Sequence, residues 1–145
     1  MTEVAFHFNV PDKLVYGCRL VRKAWSSGAR VVVTAEAEVL ARLDQLLWTF
    51  SALEFVPHCR VPAAPATVAA SPVLLAESLE GCPHHEVLIN LGPAVPGGFE
   101  RFERFIELVT TEDADRASAR GRWKHYADRG YALKRHDLAA GGAAS

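Results

Sequence analysis

The chain has 145 residues, half of them hydrophobic, with 16 Lys and Arg against 17 Asp and Glu and a formal net charge of −1. A chain of this length buries roughly 68% of its unfolded surface without disulfides or a structural metal, and its composition excludes a wholly disordered segment and a uniformly basic nucleic-acid coater. The near-zero total is uneven: residues 116–135 hold Arg116, Arg120, Arg122, Lys124, Arg129, Lys134 and Arg135 against the single acid Asp128, a surplus of +6 set on a body of −7, and such asymmetry points to an anionic partner.

Val4-Ala5-Phe6-His7-Phe8 alternates and is stopped by Pro11, so it predicts a strand leading to a helix that starts around Asp12. Leu14, Cys18, Val21 and Trp25 form the apolar stripe of that helix, and Gly28 suits its C′ position. Arg30-Val31-Val32-Val33-Thr34 has the composition of a strand buried on both faces. Val39, Leu40, Leu43, Leu46 and Leu47 mark a second helix ending near Trp48. The Pro/Ala run at 61–66 predicts a loop, and Val73-Leu74-Leu75 and Glu86 to Leu91 two further strands. Phe99, Phe102 and Phe105 begin in helical spacing, but Ile106-Glu107-Leu108-Val109 reads as a strand. Thr110-Thr111-Glu112-Asp113 supplies a cap and two acids for a final helix running to about Arg129, before Gly130. These units predict an α/β fold: three layers, α/β/α, around a mostly parallel, Rossmann-like sheet of about five strands. One domain is expected over 1–138, with a flexible tail at 139–145.

No apolar run reaches the roughly 18 residues of a membrane span, and the opening Met-Thr-Glu-Val lacks a signal-peptide pattern, which predicts a cytoplasmic protein. Cys18, Cys59 and Cys82 are odd in number and widely separated, so reduced thiols are expected.

The loop after the first strand, Phe8-Asn9-Val10-Pro11-Asp12-Lys13, contains no glycine. Dinucleotide and P-loop sites need glycines for the tight turn and close backbone approach to phosphate, so neither motif is present. His58-Cys59 and Cys82-Pro83-His84-His85 carry zinc-compatible side chains, but their spacing matches none of the paired-ligand patterns. No Gly-x-Ser-x-Gly elbow occurs. The expectation is a protein without catalytic residues, metal or cofactor.

The final helix is more informative. Advancing about 100° per residue from Arg116 puts Arg120, Trp123 and Lys124 at about +40°, −20° and +80°, inside one arc. Such a face suits an acidic peptide with an apolar end: the cations meet carboxylates and the indole accepts a side chain. The competing reading packs Trp123 into the core and leaves the cations as its hydrated rim. Three exposed ion pairs and one aromatic anchor would give about −5 to −6 kcal/mol, on the order of 0.1 mM, so binding should be weak and salt-sensitive.

From Phe6-His7-Phe8 through Trp25-Ser26-Ser27-Gly28-Ala29-Arg30-Val31, Leu43-Asp44-Gln45-Leu46-Leu47-Trp48, Phe55-Val56-Pro57-His58 and Glu112-Asp113 to Arg120-Gly121-Arg122-Trp123-Lys124-His125-Tyr126, the chain resembles the chi subunits of bacterial DNA polymerase III. The resemblance implies a non-catalytic replication adaptor. It would bind the acidic, phenylalanine-ended C-terminal tail of single-stranded-DNA-binding protein on one surface and the psi subunit of the clamp loader on another. By position, the implied tail-binding residues are Val109, Arg116, Arg120, Trp123 and Lys124, with Trp123 in place of a tyrosine and Arg116 in place of a lysine. The implied psi-binding residues are Trp48 and Phe55, both of which spacing alone would assign to the core. The alternative function is direct binding of single-stranded nucleic acid by the same cations.

Overall fold

In the computed structural model, which describes residues 2–49 and 56–139, the strands are β1 (Glu3–Val10), β2 (Val31–Thr34), β3 (His58–Arg60), β4 (Val73–Ala76), β5 (Val87–Asn90), β6 (Arg104–Thr110) and β7 (Leu133–Asp137). The helices are α1 (Lys13–Ser26), α2 (Ala37–Thr49), α3 (Pro65–Ala70) and α4 (Asp113–Asp128), with a 3-10 turn at Phe99–Arg101. Asp12 caps α1 by accepting the Val15 N–H at 3.1 Å, and Gly28 follows the helix with a φ of 91°, a left-handed conformation that glycine adopts without a Cβ penalty.

The strands form one sheet in the order β3-β4-β2-β5-β6-β1-β7, and every neighbouring pair is parallel. The sheet therefore has seven strands where about five were expected. The five are its contiguous interior, and the two additions are its edges. β3 is three residues long, and four of the five residues of β7 are exposed. Neither carries the apolar run or alternation that marks a strand in sequence. The expected loop after Val61 also contains the short α3, with Pro65 at its N-terminal position.

Alternation along the strands divides the core between the two faces of the sheet. Val31, Val33, Ile89, Ile106 and Leu108 pack with Leu40, Leu43 and Leu47 of α2 and Cys18 and Val21 of α1. Phe6, Val32, Leu88, Phe105 and Val109 pack with Ala119 and Tyr126 of α4. The three-layer expectation is thus met. The proposed tail begins at Ala139, and its residues 140–145 lie outside the described residues.

The α4 face of the sheet contains a buried charge. Glu107 of β6 and Arg122 of α4 pair at 3.1 Å with side chains 0% and 3% exposed. Glu107 also accepts from the Tyr126 hydroxyl at 2.5 Å and the Asn90 amide at 3.1 Å. Burial pushes its carboxyl above the usual value, opposed by Arg122, Tyr126 and Asn90. With three donors converging on its two oxygens, the carboxylate form satisfies the site. Arg122 further donates to the Pro93 carbonyl at 3.0 Å and Ser118 Oγ at 2.6 Å. Gly92 donates its N–H to Asn90 Oδ1 at 2.9 Å, where an added Cβ would lie 3.3 Å from that oxygen.

Removing one partner of such a pair strands the other without water. Glu107→Leu should therefore destabilise the protein by about 3–5 kcal/mol, and adding Arg122→Met should recover part of that loss. Urea unfolding of both single variants and the double measures the coupling; strictly additive costs would remove the ion pair from this role.

On the other face, the half-buried His7 ring lies with its Nδ1 2.5 Å from the Tyr16 hydroxyl and its centroid 4.6 Å from that of His136. Burial first, then the neighbouring His136, lowers its pKa to about 4. The unfolded chain takes up that proton near 6.5, whereas the fold resists it until about 4. The associated stability is complete above pH 6.5 and falls away as the pH drops toward 4. In urea titrations across that window, wild type should lose stability relative to His7→Gln, which keeps an acceptor for Tyr16 but does not titrate.

Candidate functional site

Beside α4, toward the β7 edge of the sheet, lies a cleft of about 290 Å³ lined by Phe8, Val109, Arg116, Ala119, Arg120, Trp123 and Arg135. Three elements deliver its apolar part. Phe8 comes from β1, just before a bulge at which Asn9 takes a φ of 58° and the pairing with β6 shifts. Val109, 1% exposed, comes from the end of β6. Ala119 and Trp123 come from α4, and the indole packs edge-on to Phe6 at 5.0 Å and tilted to Phe8 at 6.2 Å.

The entry into α4 is tightly held. Asp115 accepts the Thr110 N–H at 2.8 Å and its hydroxyl at 3.1 Å, and pairs with Lys13 of α1 at 3.1 Å. Those interactions outweigh burial, so the Asp115 carboxyl lies below its ordinary value.

The basic segment separates by partner. Arg122 is neutralised in the core by Glu107, Lys124 lies 3.3 Å from Asp128, Lys134 pairs with Glu3, and Arg129 donates to the His125 carbonyl at 3.1 Å. Arg116, Arg120 and Arg135 have no acidic partner among the described residues, and all three line the cleft. The Arg135 guanidinium carbon stands 5.1 Å from the Phe8 ring centroid and 5.8 Å from that of Trp123. The result is an apolar floor with unpaired cations on its helical and strand walls, an arrangement able to hold an apolar group whose flanks are anionic.

Four of the five residues expected on this surface, Val109, Arg116, Arg120 and Trp123, come together here. Lys124 does not line the cleft; it is exposed and turned to its i+4 acid. Trp123 is half-buried, so it serves both the core and the cleft wall. Phe8 and Arg135 were not anticipated. The one available signal for Arg135 was period-two spacing from Leu133, and a single apolar residue is too little to announce a strand.

Trp48, at 59% exposed, is the large exposed hydrophobic residue among those described, contrary to the core placement that spacing alone favours. It lies edge-on to His58 at 5.3 Å, and His58 Nε2 is 3.0 Å from an Asp44 carboxylate oxygen. Phe55, its expected companion, lies outside the described residues. Among the described residues no three His, Cys, Asp or Glu side chains converge as metal ligands, and Cys59 and Cys82 instead belong to the apolar cluster on the α4 face. Burial raises the Cys82 thiol.

A larger hollow of about 700 Å³ opens where β1, β5 and β6 begin. Glu3, Glu86, Glu100 and Glu103 outnumber Arg101 and Arg104 around it, and Glu3 and Glu86 are already engaged by Lys134 and the Arg30 N–H. The smaller cleft, by contrast, has no acidic residue in its lining. No helix among the described residues is long and apolar enough to cross a membrane.

Residues 1–134 match the family described as DNA polymerase III chi subunit, HolC. The chain is 35% identical to the DNA polymerase III subunit chi of Pseudomonas aeruginosa over 144 residues, covering 95% of this chain and 98% of that protein. It is 31% identical to the Escherichia coli subunit chi, covering 80% and 79% of the two chains, and 29% identical to that of Haemophilus influenzae, covering 83% and 84%.

Proposed function

Because the chain belongs to the DNA polymerase III chi subunit family, and is thereby an accessory component of that replicative holoenzyme, we propose that it works by binding rather than catalysis. On this reading residues 1–138 form one adaptor domain that joins the clamp loader to the acidic C-terminal tail of single-stranded-DNA-binding protein. The observation that carries the reading is the convergence of three arginines without acidic partners, among the described residues, on an apolar cleft. An acidic tail with an aromatic end complements both components: its ring fits against Val109, Ala119 and Trp123, and its carboxylates meet Arg116 and Arg120. Individual contacts of this kind are weak, and they become effective when many tails are concentrated on coated DNA.

The exposed Trp48 supports a second contact, with psi or its equivalent in the clamp loader, to which Phe55 would add. Burying an exposed indole is a common anchor in protein interfaces. Each surface then serves one partner.

A peptide ending Asp-Asp-Ile-Pro-Phe should bind wild type weakly, less so at high salt. Arg120→Glu should weaken it at least about tenfold by removing one cation and adding a repulsion, whereas Lys124→Glu, outside the cleft, should cost less than about threefold. Calorimetric titration checks both; equal affinity in wild type and Arg120→Glu would refute the site. Salt-steep binding to bare single-stranded DNA, with no response to the peptide, would favour the direct nucleic-acid reading. Trp48→Ala should reduce psi binding at least about tenfold in co-elution assays while leaving the peptide titration unchanged.

A further inference from the structure

We propose that Arg135 is a third carboxylate-binding residue of the cleft, supplied by the edge strand, so that the cleft selects peptides carrying two separated carboxylates; this rests on the acidic-tail reading above. The geometry distinguishes Arg135 from its neighbours on β7. Lys134 is paired with Glu3, the His136 ring lies against His7, and Asp137 accepts from the Asn9 amide at 2.7 Å. Arg135 faces the α4 side, where its guanidinium carbon lies within 5.1 Å and 5.8 Å of two ring centroids, Phe8 and Trp123.

Contact with an aromatic ring engages the guanidinium's charge but leaves its N–H donors available. No acidic side chain among the described residues takes those donors. Arg135 is thus positioned by rings while its hydrogen-bonding capacity is unspent, which lowers the ordering cost when an anion arrives. Arg116 and Arg120 line the cleft from α4 and Arg135 lines it from β7, while Val109, Ala119 and the rings of Phe8 and Trp123 supply its apolar floor. An apolar side chain seated on that floor keeps an anion on one wall apart from an anion on the other. A single terminal carboxylate therefore serves the α4 arginines, and Arg135 requires a second carboxylate from a residue upstream of the anchor.

NMR titration of wild type, Arg135→Gln, Arg135→Lys and Arg120→Glu with peptides ending Asp-Asp-Ile-Pro-Phe and Asn-Asn-Ile-Pro-Phe tests this. Arg135→Gln should weaken the aspartate peptide about two- to fivefold and leave the Kd of the asparagine peptide unchanged. Arg135→Lys, which keeps the charge without the planar fork, should fall between wild type and Arg135→Gln. Equal weakening of both peptides would make Arg135 a structural support of the wall and overturn the proposal. Unchanged or tighter binding of the aspartate peptide by Arg135→Gln, with Arg120→Glu still defective, would overturn it while leaving the acidic-tail reading intact. Failure of wild type to bind either peptide would overturn both.

Discussion

The geometry of the cleft depends on a charge that no solvent reaches. A carboxylate in the middle of a parallel sheet is costly, and Glu107 is tolerated because α4 and β5 bring donors to both of its oxygens. That requirement fixes the rotation of α4 about its own axis. At about 100° per residue, turning Arg122 inward leaves Arg116, Ala119, Arg120 and Trp123 within a sector beside it, and that sector lines the cleft. Lys124 lies at the far edge of the arc and falls to solvent. The same arginine ties down the turn after β5 through Pro93 and Ser118, so strand, turn and helix share one register. A core ion pair thus sets the orientation of a surface it does not touch.

How much of this could be read from sequence follows from where water is. The interior strands β1, β2, β4, β5 and β6 carry apolar runs or alternation because both faces of a parallel sheet are covered, and the periodicity of α1 and α2 reports the layer they bury. The edges carry no such mark. β7 is Leu-Lys-Arg-His-Asp, held by pairing to β1, the Lys134–Glu3 ion pair and the Arg135 contact with two rings. All of these depend on residues more than 120 positions away or on the helix before it. Local pattern cannot contain them. The α4 face was legible for the complementary reason: a helix has a fixed angular step, so spacing alone groups Arg116, Arg120 and Trp123. Its centre was not legible, since that is set by the Arg122–Glu107 contact, and counting charge along the chain could not separate the neutralised Arg122 from the unpaired Arg120.

The net charge acquires a different meaning once the cations are sorted by partner. Arg122, Lys124 and Lys134 act within the fold, each beside a carboxylate, and contribute little to the field outside. What the basic segment leaves without an acidic partner and gathers in one place is the group of arginines around an apolar floor, on a body whose summed charge is negative. A long-range basic field would favour any polyanion, DNA included. A few unpaired cations around a cavity instead favour an anion that also has something apolar to bury, because only that ligand gains from both the floor and the rim.

The position of the cleft at the β7 end of the sheet follows from the same economy of charge. An edge strand exposes unpaired backbone groups, and a flat apolar one invites association with other chains. β7 answers this with exposed polar side chains at four of its five positions. Because side chains alternate, such a strand presents some of its charges to each layer: Lys134 and His136 go to the α1 side, where Glu3 and His7 receive them, and Arg135 goes to the α4 side. There it meets the aromatic wall formed by Phe8 and Trp123 rather than a carboxylate. The composition that protects the edge therefore also places a cation at the cleft, and the two roles need only one residue because the helix and the edge strand close on the same space.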